Sequence, residues 1–495
     1  MKRSILFLIL FLFVPWSIYA ASTCSWVGNT GTVASPYAVT DFSSCVTDAT
    51  GKTGAVIINI PAASVTWGTG VNVNMTTWTN VTGLTINGAG QGTTTINSSG
   101  ALVVMTFTSP SGKSFKVSNF SLTGGATLKV DYQSKSTTWN IDSVTFTSPD
   151  TLFIQGIGSG VISRCTFSSS GVAIHVMGHN PTASDPWMDS GNYSWGTASV
   201  IGTANANAII EGNTFLGCGN AQHHVIDAEY GATYALRWNT FSTGCGASMH
   251  DALYSRAVRS WEVIYNKFDN TGMAAGSMTA NFAVRGGTGI FANNQIINGA
   301  AFDTGHPVEI TNYRSCGNYD ATGIFNSVCD NTAEKGCFGS SSSATNTKVC
   351  TTDADCGGES GACQNLDGNT GGNGYPCRDQ VGRGANQTLE PAYFWGNTVD
   401  GGAMTAPLVY NQAAGDQAKQ ACIDDSTWTA TYHIVLDRDY YNSAKSGYSY
   451  STCPDPRTGL TGSCDTATKG ATGYNMEGVS TPTSLTGTLL GGSIK

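Results

Sequence analysis

The hydrophobic positions of this chain fall into short β-prone runs rather than helical stripes. One such run recurs, ending in Asn-x-Phe or a relative: Ile209–Phe215, Ala235–Phe241, Glu262–Phe268 and Gly289–Ile296. Their terminal hydrophobes lie 26, 27 and 28 residues apart. Fainter copies precede them at Val117–Leu122, Ile141–Phe146 and Ile162–Phe167, spaced 24 and 21, and one more, Ala392–Val399, follows. A unit of this length, holding two or three strands and no helix, cannot bury its apolar face alone. Such units stack at about 4.8 Å and share a continuous core, so the expected fold is an all-β solenoid. Asn213, Asn239, Asn266, Asn294 and Asn397 occupy one place in successive units. Stacked there, their side-chain amides can hydrogen-bond from turn to turn. Cys165 holds that place in an earlier unit and is expected to be a small, buried, unpaired thiol.

The passage Val56–Trp67 followed by Val81–Gly90 resembles the opening of secreted right-handed parallel β-helix proteins of the pectate-lyase-like superfamily. The Asn-Thr-Phe units resemble their coils, so the resemblance covers roughly residues 50–310 and 390–400. It implies a right-handed parallel β-helix but brings no catalytic motif, and many unrelated activities share that scaffold. The organisation this suggests is a signal peptide at 1–20, an N-terminal cap and first coils at 21–80, and coils at 81–310. An insertion at about 179–206 interrupts those coils. A disulfide-stapled cysteine-rich insertion follows at 311–380, then final coils at 381–445 and a Gly/Ser/Thr-rich tail at 446–495.

Composition narrows the function. Only 12% of residues are charged, too few for the polar faces of a helix bundle. The net charge is −9, and −11 without Lys2 and Arg3, which argues against a nucleic-acid partner needing a basic stripe. Lys2-Arg3, the apolar run Ile5–Val14 and Ala20-Ala21 read as an export signal with its cleavage site. That run is shorter than the ~20 residues of a membrane span, so a secreted protein without a span is expected. Export makes disulfides the default for the 15 cysteines, seven of which lie between Cys316 and Cys377. Cys24 with Cys45 and Cys453 with Cys464 are expected staples, and an odd total leaves one thiol over.

Counting from the column asparagines, His224 and His250 fall at +11 and His306 at +12. Asp227, Asp251 and Glu309 fall at +14, +12 and +15, and Arg259, Arg285 and Arg314 at +20, +19 and +20. Equal offsets on a solenoid mean one face, with His223 able to replace His224 if the strand parity slips by one. The strip suits an acidic polysaccharide cut by β-elimination. Arginines pair bidentately with a uronate carboxylate, and histidine transfers protons near neutral pH. The candidate catalytic residues are His250, Arg285 and Arg259; His224, His306, Arg314 and Trp238 are candidates for substrate binding. Asp227, Glu229, Asp251 and Glu309 offer hard oxygen ligands for Ca2+. Relatives with the resembled fold that cleave pectate use acidic calcium ligands and a basic proton acceptor. A glycoside hydrolase pairing Asp227 with Asp251 is the runner-up enzyme. The alternative to an enzyme is an extracellular glycan-binding, adhesin or surface structural protein using the same face. Salt bridging explains the arginine column equally well. The aromatic residues Trp187, Tyr193, Trp195 and Trp238 stack on sugars or simply pack the insertion.

Overall fold

The computed structural model describes residues 22–25, 39–98, 102–109, 112–132, 138–156, 158–168, 171–178, 199–203, 205–218, 224–229, 231–248, 257–311, 335–337, 349–356, 363–365, 379–385, 388–410 and 434–448. These form a nearly all-β structure in which the chain visits three ladders of parallel strands in turn. One circuit runs Thr233–Arg237 in the first ladder, Thr240–Ser242 in the second and Gly246–Ser248 in the third. The next runs Ser260–Ile264, Lys267–Asp269 and Phe282–Val284, each strand in parallel register with its predecessor. The third ladder holds ten strands, from Val71–Asn74 to Leu408–Tyr410.

Alternation within each strand builds the core. In the second ladder Phe146, Phe167, Phe215, Phe241 and Phe268 point inward and stack ring on ring, with centroids 4.6–4.9 Å apart. The outward partners Thr145, Thr166, Thr214 and Thr240 follow one another in register. In six successive circuits the corner between first and second ladders is a single left-handed residue: Ser143, Arg164, Gly212, Trp238, Tyr265 and Asn293 all have φ between 53° and 65°. Each costs a non-glycine residue about 1–2 kcal/mol, which the following asparagine column offsets.

The column forms as the sequence predicts. In Asn239 the amide Nδ2 donates to Ile210 O at 2.9 Å and Asn266 Oδ1 at 3.0 Å, and Oδ1 accepts from the backbone and side chain of Asn213. The pattern repeats through Asn266, Asn294 and Asn397, all buried. Cys165 begins the series: its N–H donates to Asn213 Oδ1, and its thiol is buried and unpaired. Burial pushes that thiol far above the ordinary range.

Four features differ from, or fall beyond, the sequence reading. An α-helix, Val39–Thr50, lies in the N-terminal cap; Phe42, Val46 and Ala49 recur at helical spacing, and Phe42 stacks on Trp67. The disulfide among the described residues joins Cys218 to Cys245, tying two adjacent circuits. In the cysteine-rich insertion the described residues make a three-stranded antiparallel sheet of Lys335–Cys337, Val349–Cys350 and Cys363–Asn365. The thiols of Cys24 and Cys45, the Cys453–Cys464 pair, the signal segment and the tail lie outside the described residues. No helix among the described residues is long and apolar enough to cross a membrane.

From Val161 onward the outer side of the first ladder is covered. Val161, Ile209 and Ala235 pack against Val200 and Ala206; Ile264, Ile290 and Ala292 pack with Trp238 and Tyr448. Beneath this cover Arg237 bonds Glu211 at 3.0 Å and Glu262 at 2.5 Å. Glu262 also accepts from the Tyr448 hydroxyl and the Gly202 N–H.

Candidate functional site

Lys116 and Arg164 pair with Asp142 at the first ladder, and Lys267 pairs with Asp269 on the second, which otherwise presents mainly threonines; a further set of titratable groups lies on the outer side of the third ladder. Its inward positions are apolar: Ile154, Val176 and Ala228 align, as do Val284 and Ile310. Outward, Phe153, His175 and Asp227 align in one column and Gln155, Met177 and Glu229 in the next. Further along, Ala283, Glu309 and Leu408 align, and Arg285 directly follows the strand Phe282–Val284. The two-residue side-chain period of a strand therefore places Asp227, Glu229 and Glu309 on one face, with Arg285 just beyond the end of its strand.

His175 is the most constrained group there. Its Nε2 lies 2.9 Å from Asp150 Oδ1 and its Nδ1 3.9 Å from Asp227 Oδ2. The imidazole stacks on Phe153, centroids 4.3 Å apart and planes 2° from parallel. Asp150 reaches it from the turn before the strand, with φ at 51°. Tyr234, which leads into the first ladder, is buried with its hydroxyl unbonded among the described residues; burial and the Asp227 carboxylate push its pKa up. Sequence reading missed His175, Asp150 and Phe153. The signal was present at +10 from Cys165, but the cysteine hides that circuit from a search for asparagine.

Glu309 is 6% exposed, and its Oε1 has no hydrogen-bond partner among the described residues. Burial, with Asp303 adding to it and Arg285 opposing, pushes its carboxyl up to about 7. His306, before that strand, places Nδ1 2.9 Å from Ala406 O. His224 opens its own strand at the same end of the third ladder.

Two expectations require correction. Arg259 has no exposed surface, and its Nη2 donates to Glu390 at 2.8 Å, so it binds the fold together rather than clamping a substrate. Trp238 is buried at the corner between first and second ladders, away from the third-ladder face. His250, Asp251, Arg314, His223, Trp187, Tyr193 and Trp195 lie outside the described residues.

A shared calcium site does not fit the residues described. Asp227 and Glu309 stand three ladder steps apart, about 14 Å at ~4.8 Å per step. A single Ca2+ reaches its oxygens at only about 2.3–2.6 Å. Among the described residues no three His, Cys, Asp or Glu side chains converge on a metal position.

No family model and no curated protein matches this chain. Two solved structures share weak similarity. A Geobacillus virus E2 protein, ORF18, is 12% identical with a TM-score of 0.34, over 56% of this chain and 56% of its own. The chain thus spans little more than half of that protein. A rice weevil pectin methyl esterase is 10% identical with a TM-score of 0.25, over 76% of this chain and 92% of its own.

Proposed function

We propose that the three ladders wind as a right-handed parallel β-helix in an exported protein, whose third-ladder face cleaves a uronate-containing polysaccharide by β-elimination. Parallel strands joined by crossovers are right-handed in about 98% of cases, which supports the handedness. The observation that carries the function is the file of His175, Asp227, Glu229, Arg285 and Glu309 in outward positions above an apolar interior. An extended chain laid along the axis meets each in turn.

In this reading Arg285 pairs with the uronate carboxylate and stabilises the charge that develops when the C5 proton leaves. His250 is the proton acceptor: it lies two residues beyond Ser248, and Arg285 two beyond Ala283, the register partner of Ser248. The electron pair forms the new double bond, the glycosidic C–O bond breaks, and the leaving oxygen takes a proton from the now-protonated His250. His224, His306 and Arg314 contact neighbouring sugars.

Purified protein incubated with polyuronates should generate the ultraviolet absorbance of an unsaturated product, and Arg285→Ala and His250→Ala should lower that rate at least about a hundredfold. Retention of glycan with no product from any polyuronate would defeat the lyase and leave the glycan-binding module.

A further inference from the structure

The second ladder carries a surface that the third-ladder site does not use. Its outward positions fall into two columns, two residues apart on each strand. The first column is Ser or Thr in seven successive circuits, from Ser64 to Thr240, in unbroken parallel register. The second runs from Thr66 to Ser242, and five of its seven positions carry hydroxyls, the exceptions being Asn97 and Leu216. No position in either column is charged. Charge enters only in the next circuit, where Lys267 pairs with Asp269. All these side chains are at least partly open to solvent except Ser121, whose Oγ accepts from the Gly92 N–H at 3.0 Å.

This face is also flat and stiff. Neighbouring strands of ordinary sheets are rotated by about 20–25°. The inward rings beneath this surface lie only 3°, 9° and 4° from parallel between Phe146, Phe167, Phe215 and Phe241, so the strands that carry them are close to untwisted. The hydroxyls therefore repeat at about 4.8 Å along the axis and about 6.6 Å across it, over a length of about 29 Å. Threonine is held to few rotamers by its branched Cβ, so each circuit offers a methyl and a hydroxyl in the same place. The hydroxyls of Thr145, Thr166, Thr214 and Thr240 make no hydrogen bond among the described residues.

The chemistry of the face selects its occupant. Without charge over seven circuits it gives no purchase to an ion or a polyanion, so charge complementarity calls for a neutral partner. It presents no aromatic ring on which a sugar could stack. What it does present is a rigid two-dimensional lattice of groups that donate and accept, as water does. The oxygens of ice repeat across a crystal face at a spacing close to that of stacked strands. We propose that the second-ladder face from Ser64 to Ser242 binds the surface of an ice crystal. One hydroxyl holds water weakly, but a row of them in register holds a layer of it in the crystal's own arrangement, with the methyls filling the gaps between. The glycan site lies on a different face, so this proposal stands or falls separately from it.

Ice recrystallisation in a frozen sucrose solution, followed by microscopy, tests this with the full-length protein. The protein should arrest the growth of ice grains, whereas serum albumin at equal concentration should not. Thr166→Lys and Thr214→Lys should each raise the concentration needed for half-arrest at least about tenfold, the worth of one or two hydrogen bonds lost from the row. The scaffold accepts lysine at that position, because Lys267 already occupies the same column. Thr106→Lys adds the same charge outside the third ladder, beside its register partner Lys129, and should leave the half-arrest concentration within about twofold. Grain growth at the albumin rate with the unmodified protein would overturn the proposal, and that measurement needs no variant to fold. Undiminished arrest by Thr166→Lys and Thr214→Lys would overturn it too, as would an equal loss in Thr106→Lys. Retention on crystalline cellulose with grain growth unaffected would reassign the face to a polysaccharide surface.

Discussion

Replacing Asn266 with alanine tests how much of the fold's stability resides in the amide column. The side chain makes four hydrogen bonds: Nδ2 donates to Leu236 O at 2.8 Å and Asn294 Oδ1 at 3.0 Å, and Oδ1 accepts from Asn239 N at 2.9 Å and Asn239 Nδ2 at 3.0 Å. Each buried hydrogen bond is worth about 1 kcal/mol net, and a partner left unsatisfied costs about 1–3 kcal/mol. Asn294 Oδ1 keeps the Asn266 N–H, so three partners are stranded outright. The loss should be about 4–6 kcal/mol. Guanidinium unfolding followed by tryptophan fluorescence measures it as a lowered midpoint at unchanged slope. Asn397→Ala provides the internal scale, because Asn397 ends the series with three such bonds and should lose about a quarter less. A loss below about 1 kcal/mol for Asn266→Ala would refute the reasoning, since the stranded groups would then be no worse off than in water.

Three further outcomes follow from the geometry. Replacing Cys218 and Cys245 together by alanine should cost about 3–4 kcal/mol, as the bridge closes 27 residues of the unfolded chain; denaturation with and without reductant checks it. Glu309 is held protonated at a pH where the unfolded carboxyl, ordinarily 4.5, has ionised. Its raised folded-state value means the native state binds the extra proton, so stability falls as pH rises from 4.5 to about 7. That fall is about 3 kcal/mol in total, and Glu309→Gln should flatten it, which unfolding curves across that range would show. Ser143→Gly should raise stability by up to about 1 kcal/mol by relieving a left-handed residue at φ 55°, read as a higher thermal midpoint.

The repeating core was legible because its physics writes an identical signal in each circuit. A column position admits a polar side chain only if it can both donate and accept along the axis, so Asn213, Asn239, Asn266 and Asn294 recur with a phenylalanine or isoleucine two residues later. Cys165 is a buried free thiol among the described residues, as its place in the column suggested. The Cys218–Cys245 bridge was missed because fifteen cysteines permit many pairings, although both follow the column asparagine by five or six residues. The cap helix was missed because Ser, Thr and Asp dominate its polar face in place of Lys and Glu. At the site, offsets placed Asp227 and Glu309 on one face but not their separation along the axis, which depends on how many circuits intervene. Arg259 shows the converse limit. An offset gives a position along the coil, whereas the direction of a long side chain at a corner is set by its partner, here Glu390, 131 residues later.

Asn294 and Asn397 are bonded as tightly as any neighbours in their column, yet 103 residues separate them, and Phe291 meets Phe394 in unbroken register. The register of the stack is kept across the point where the chain departs and re-enters. Closing so long a detour costs only about 1 kcal/mol more than closing an ordinary circuit. The length of the detour alone is therefore a small term for the rest of the molecule. Lineages could swap, enlarge or discard it without renegotiating the stack, which makes this the point where new recognition properties can be acquired at least risk to folding.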